Sequence, residues 1–444
     1  MGDRMEVFRG TIVHSTDDSH MEILQDHLLG VQHGKIIFLE PRSNLEKLSK
    51  KHRFSVRTLT DRQFLMPGLI DVHLNAAHYP MAGISSTLPL WDWLKSHAWP
   101  TEKLYEDDIS FADQVFQKVV ERSIGNGTTT ACYDAGISSK ATIRLVHIVE
   151  KHGQRAFIGK SSRDVIDGGG YRHLLEDTDE AIESTESVIK EIRSKDCPLV
   201  SPLLSPSSLS TVTMEMMSGF ARLSEGNTSL RMQIRVAQTE NDEETANGIH
   251  GNRSETITGL LRGYGLLSDR TILSHGIFLS DDDISLIKEE RAGVVHCPTS
   301  DMSTYSGVCD LRKFLDAGVK VGLGTDVGSS HSVSLLDSIR SSILASKALS
   351  FQKTQDYESL ALEEAFMLAT LGGSQVLGID DKVGSFNPGK EFDALLVDVS
   401  QEGSRIDVFP HQTAKDAIHK FLLLGDDRNI KEVYVAGQQI KKPT

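Results

Sequence analysis

Short apolar runs alternate with longer amphipathic stretches through the middle of the chain. The runs Gly68–Val72, Thr128–Cys132, Phe157–Ile158, Leu199–Leu203, Met232–Val236, Thr271–Ser274, Gly293–His296 and Val319–Gly322 read as strands. Between them Phe111–Ser123, Ile143–Lys151, Thr185–Ser194 and Leu336–Leu349 space their apolar residues as helices do. Strands alternating with helices in this way predict a (β/α)8 barrel, whose active groups stand at the C-terminal ends of the strands. The two ends of the chain read differently. Phe8–Val13 and Gly34–Leu39 near the start, and Phe392–Val397 and Val433–Ile440 near the end, are short apolar runs without helical partners. The pattern therefore predicts a barrel over 67–391 and a small β-sandwich built from 1–66 together with 392–444.

Composition narrows the partners. Hydrophobic residues at 39% and charged residues at 25% describe a globular chain and exclude a collagenous or disordered one. The 47 Lys and Arg against 62 Asp and Glu leave a net charge of −15, which repels phosphate backbones and anionic headgroups. No nucleic acid or membrane partner is expected. No apolar run approaches the roughly 20 residues that span a bilayer. The four cysteines, Cys132, Cys197, Cys297 and Cys309, show no CxxC spacing and read as reduced thiols. Met1–Glu6 has no apolar signal core, and the closing Lys-Lys-Pro-Thr is no targeting signal, so a cytoplasmic protein is expected. The acidic run Asp281–Asp283 reads as a helix N-terminus, where anions complement the macrodipole.

Several segments together resemble the amidohydrolase superfamily, and within it the guanine deaminases. They include Met66-Pro67-Gly68-Leu69-Ile70-Asp71-Val72-His73, Gly125-Asn126-Gly127-Thr128-Thr129-Thr130, Ser274-His275-Gly276, His296-Cys297-Pro298 and Gly324-Thr325-Asp326. Near the C-terminus Ala369-Thr370-Leu371-Gly372-Gly373, Pro388-Gly389-Lys390-Glu391-Phe392-Asp393-Ala394 and Leu424-Gly425-Asp426-Asp427-Arg428 continue the match. The resemblance implies hydrolysis of an aromatic amidine on one zinc, which makes hydroxide available from water at neutral pH. It also implies the ligands: an HxH pair after the first strand, a His after the fifth and an Asp after the eighth. A Glu beyond the fifth-strand His moves protons, and a sixth-strand His orients the water. A Gln after the HxH pair and an Arg on the fourth strand hold the purine. Members of this family are dimers, so a homodimer is expected.

Position by position the chain departs from that pattern. His73 stands at the first histidine of HxH but Asn75 at the second. Arg235 stands at the fifth-strand histidine, and a guanidinium has no lone pair to offer a metal. Gln238 stands at the catalytic Glu, and an amide cannot cycle a proton. A register shift would bring Glu240 forward but leaves Arg235 unexplained. His78 replaces the Gln and Leu203 the Arg. His275 and Asp326 remain. Two surviving ligands, His73 and Asp326, do not hold a tetrahedral zinc. An Arg235–Asp326 ion pair in place of the metal is the expected compensation, because an unpaired buried carboxylate is costly.

The reading that follows is a guanine-deaminase-like protein that has lost zinc-dependent hydrolysis, with no cofactor. Its expected chemistry is metal-free acid/base conversion of a small, nitrogen-containing molecule, such as a cyclisation, isomerisation or condensation. His78, His275, His331, Asp326 and Arg235 are the candidate catalytic residues. His73, Asn75, Trp91, Leu203 and Gln238 are the candidate substrate contacts, with Trp91, Trp93 and Trp99 as a stacking surface for a flat ligand. Two alternatives stay open. One is a silent paralogue acting by binding or hetero-oligomerisation. The other is an active aminohydrolase whose zinc sits on His73, Asn75, His275 and Asp326.

Overall fold

The computed structural model describes residues 5–84, 88–165, 175–251, 254, 256–353 and 356–441. Met1–Arg4 and Lys442–Thr444, part of the segments read above for targeting signals, lie outside the described residues. The middle of the chain forms eight parallel strands in sequential order: Leu69–Asn75, Thr128–Asp134, Arg155–Ser162, Val200–Pro206, Arg231–Val236, Thr271–His275, Gly293–His296 and Lys320–Leu323. Their side chains are almost all buried on both faces, as parallel strands covered by helices require. The first strand and the segment after the eighth are joined by side-chain and backbone hydrogen bonds. The Thr325 amide and hydroxyl donate to the Asp71 carboxylate at 3.1 and 2.6 Å, and the Asp326 amide donates to the His73 carbonyl at 2.8 Å. Burial raises the Asp71 carboxyl to about 7 despite these donors.

The connecting helices start where their caps dictate. Asp108 caps Ile109–Gly125 and Ser138 caps Ser139–His152, which ends at Gly153 in left-handed backbone (φ 70°). Asp281–Glu289 begins on the acidic run noted above, with Ser280 and Asp283 in a reciprocal capping box.

The two chain ends meet in one separate sheet. Its order is Gln438–Lys441, Ile430–Val435, Ala394–Asp398, Gln63–Pro67, Met5–His14, Glu22–Gln32 and Lys35–Pro41, with Phe54–Thr58 also paired to Met5–His14. Phe8, Ile12, Leu29, Leu65, Phe386, Phe392 and Leu396 pack together on it. A (β/α)8 barrel with a separate sheet is thus the fold. Three of the sheet's strands, Glu22–Gln32, Phe54–Thr58 and Gln63–Pro67, are not marked by the apolar pattern. The first two are largely half-exposed or exposed, and the third runs through Pro67-Gly68 straight into the barrel. Among the described residues no helix is long and apolar enough to cross a membrane.

Candidate functional site

Three ligand-bearing side chains converge at the C-terminal mouth of the barrel. His73 lies on the first strand, His275 ends the sixth and Asp326 follows the eighth, and one ligand atom from each lies within 4.8 Å of the other two. All three are buried. The imidazole tautomers are set by their neighbours. His73 Nδ1 is 2.8 Å from Gln233 Oε1, and Gln233 is itself held by donating from Nε2 to the Val72 carbonyl. His275 Nδ1 is 2.7 Å from Asp301 Oδ1. An acceptor at Nδ1 places the proton there and leaves the lone pair on Nε2. Both Nε2 atoms are buried without a hydrogen-bond partner. Such orphaned atoms are rare in folded proteins unless something else binds them.

Asp326 is oriented in the same way. Ser300 and Ser329 hydroxyls each donate to Oδ2 at 2.6 Å, which leaves Oδ1 facing His73 Nε2 at 3.4 Å. Burial works against its charge, while the two serine hydroxyls and the Arg235 guanidinium favour it. Two lone-pair nitrogens and one carboxylate oxygen fit a catalytic zinc, which takes three protein ligands and keeps a fourth position open. His275 (φ 74°) and Asp326 (φ 42°) both adopt left-handed backbone, a strained state for such residues that clusters at functional sites. Removing the acceptor behind His275 in Asp301→Ala is expected to weaken metal affinity about 10- to 100-fold, measured by competition with a chelator.

The remaining candidates divide. A cavity beside this cluster is lined by His78, Trp91, Asp134, Arg163, Arg235 and Gln238, among others. Arg235 faces it as the register dictates, pairing with Ser274 while Val236 pairs with His275. The expected Arg235–Asp326 ion pair is not formed. Arg235 Nη2 instead binds Asp134 Oδ2 at 2.8 Å, because Asp134 at the end of the second strand is the nearer carboxylate and Asp326 is already engaged by two hydroxyls. The Asn75 oxygen accepts the His78 amide at 3.3 Å and so caps the short helix Ala76–Met81. Leu203 is buried in the barrel core beside Ile70, Val72, Cys132 and Phe157. His331 is exposed.

Three tryptophans form one wall. Trp91, Trp93 and Trp99 all line the cavity, and the π-helical turn Leu94–Ala98 lies between the second and third. A π turn rotates the residues after it, and such turns recur at functional sites. Beside this wall, lining the same cavity, is a buried charge chain that the sequence did not reveal. Glu102 Oε1 is 2.7 Å from His78 Nε2, and Arg163 Nη1 donates to Glu102 Oε2 at 2.8 Å. Burial alone would raise the Glu102 carboxyl, yet Arg163 and His78 hold it down at about 2. A carboxyl depressed from near 4.5 contributes stability above that value and loses it as pH falls through about 2. The unfolding free-energy gap between wild type and Glu102→Gln is therefore expected to narrow by about 3 kcal/mol between pH 5 and pH 2.

The barrel, the separate sheet and a His/His/Asp group at the strand ends define an enzyme of the (β/α)8-barrel class. The Amidohydrolase family matches residues 64–440, and the chain belongs to it. The guanine deaminase of Mus musculus is 40% identical over 442 residues, covering 98% of this chain and 96% of that protein. Among solved structures, guanine deaminase from C. acetobutylicum with bound guanine in its active site superposes with a TM-score of 0.88. It is 27% identical and covers 98% of this chain and 100% of its own. An adenosine deaminase from Xanthomonas campestris with bound zinc shares the fold, with a TM-score of 0.81 and 24% identity over 99% of this chain and 93% of its own.

These findings overturn two expectations. A lost hydrolysis with non-hydrolytic chemistry in its place conflicts with whole-chain similarity at 40% to guanine deaminases. The absence of a cofactor conflicts with the family and with the His73, His275 and Asp326 group. The misreading has a physical source. The findings favour the alternative of an active aminohydrolase: strand order alone makes His275 an orienting residue, whereas the fold groups it with His73 and Asp326, and Asn75 caps a helix instead.

Proposed function

We propose that this chain is an aminohydrolase of the guanine-deaminase type, with one zinc held by His73, His275 and Asp326. The carrying observation is the trio itself: two buried, unpartnered imidazole nitrogens and an ionised carboxylate within 4.8 Å, at the mouth of an amidohydrolase barrel. Zinc bound there supplies a water acidified toward neutrality. The protein's own side chains do the rest. Gln233 and Asp301 fix the two imidazoles, and Ser300 and Ser329 fix the carboxylate.

The substrate wall supports a planar ligand. Trp91, Trp93 and Trp99 offer aromatic surface, and Arg235 offers a guanidinium already aligned by Asp134. In this reading Arg235 supplies the donors to a ring oxygen that Leu203, buried in the core, cannot supply. Gln238, at the same cavity, supplies an amide donor and acceptor to the heterocycle. A homodimer in the cytoplasm is the expected setting by analogy with the family.

The test is metal analysis of purified protein together with ammonia release from guanine. About one zinc per chain and stoichiometric ammonia and xanthine are expected. Zinc-loaded protein that releases no ammonia from guanine overturns the reading.

A further inference from the structure

The His78–Glu102–Arg163 chain belongs neither to the proposed metal ligands nor to the planar wall. His78 sits in the helix Ala76–Met81, directly after the first barrel strand, and its ring lines the cavity. His78 and Glu102 are each 4% exposed and Arg163 is 1% exposed. The Trp93 ring meets the imidazole edge-on at 5.2 Å between centroids, and the Arg163 guanidinium lies 5.1 Å from the Trp99 ring centre. Gly328 (φ 109°) packs so closely that a Cβ there would fall 2.4 Å from His78 Cβ. The loop carrying Asp326 therefore rests on His78. An imidazole this tightly clamped has one orientation, and a carboxylate accepting from Nε2 leaves the neutral ring's lone pair on Nδ1.

Hydrolysis of an amidine needs a group that takes a proton from water and gives one to the departing nitrogen. The other titratable cavity groups are spent, Asp326 as a proposed metal ligand. Gln238 cannot exchange a proton. Asp134 is tied to Arg235, and Asp242 accepts from the amides of Gln238 and Thr239 and from the Thr239 hydroxyl. Glu102 is locked in its ionised form between Arg163 and His78.

We propose that His78 is the proton-transferring residue of the hydrolysis, with Glu102 and Arg163 as positioning residues. This rests on the deaminase reading above. As the water oxygen bonds to the amidine carbon, His78 takes one water proton. It then delivers that proton to the exocyclic amino nitrogen, which leaves as ammonia with the C–N electron pair. The second water proton ends on the ring nitrogen of the lactam product. Nothing is oxidised or reduced.

The experiment measures ammonia release from guanine by zinc-loaded wild type, His78→Ala, His78→Gln, Glu102→Gln and Glu102→Asp, with zinc content checked for each. Both His78 variants are expected to lose about 100-fold or more in kcat, with zinc retained and KM for guanine changed less than about threefold. Free imidazole is expected to restore roughly tenfold or more of the rate to His78→Ala, saturably, and nothing to His78→Gln, whose side chain fills the space. Glu102→Asp is expected to recover part of the rate that Glu102→Gln loses. Wild-type rates in folded, zinc-bound His78→Gln, or His78→Ala that imidazole does not rescue, overturn this inference and leave the deaminase reading standing. Zinc-loaded wild type that releases no ammonia overturns both.

Discussion

Asp326→Asn is expected to yield protein purified without stoichiometric zinc and without measurable ammonia release from guanine. The substitution keeps size and shape and removes only the charge and donor strength of the oxygen facing His73. Amide oxygens are poor zinc ligands beside imidazole, because they carry no charge. Two imidazoles alone do not hold the ion in a tetrahedral site. The loss of affinity is therefore expected to exceed the roughly 10- to 100-fold that removing a ligand's own hydrogen-bond partner costs. Asp301→Ala gives that smaller step in the same assay, so the two variants grade the site. Retention of one zinc per chain in Asp326→Asn would show that the carboxylate is no ligand.

The second large effect concerns the joint between barrel and sheet. Arg155, on the third barrel strand, binds Asp393 through Nε and Nη2, both at 3.1 Å, and Glu391 through Nη2 at 2.6 Å. Its side chain is 7% exposed and that of Asp393 is 2% exposed. Asp393 also accepts the Ala436 amide at 2.7 Å, which ties the turn before the last strand into the same cluster. Burial opposes the Arg155 charge, but Asp393 and Glu391 outweigh it and raise its pKa. Arg155→Ala strands a buried carboxylate, and removing one partner of a buried pair costs about 3–5 kcal/mol. The exposed Arg144–Asp113 pair is the control, with Nε–Oδ1 at 2.6 Å. Although that contact is as short as any made by Arg155, Arg144→Ala is expected to cost only about 0–1 kcal/mol, since water screens and replaces it. Urea unfolding of both variants checks the contrast. Equal losses would mean that burial does not set the strength of these pairs.

Much of the barrel was legible because its strands are buried on both faces. Fully buried runs such as Thr128–Asp134 and Thr271–His275 stand out from any amphipathic background. The sheet at the ends was only half legible. Glu22–Gln32 alternates poorly, because much of it faces solvent while Leu28, Leu29 and Gly30 alone are buried in a row.

The candidate site divided along another line. His73, His275 and Asp326 stand out by their place after strands, His78 by departure from a family pattern, and Trp91 as a flat stacking surface. Glu102, Arg163, Asp134 and Asp301 were missed. Glu102 and Asp301 sit in helices, Asp134 ends a strand and Arg163 follows one, and nothing in their local sequence marks any of them as buried. Arg163 and Asp134 do lie at the C-terminal ends of barrel strands, and that position was the one available signal.

The sequence by itself determined the fold, the family and which histidines lie at the barrel mouth, since periodicity and local motifs act over short stretches of chain. The tertiary structure alone decided how those groups are used. It turned His275 Nε2 toward His73 and Asp326, gave Arg235 to Asp134 instead of Asp326, and brought Glu102 and Arg163 behind His78. A charge finds its partner by distance and burial, and both are set only when strands far apart in sequence close into one barrel.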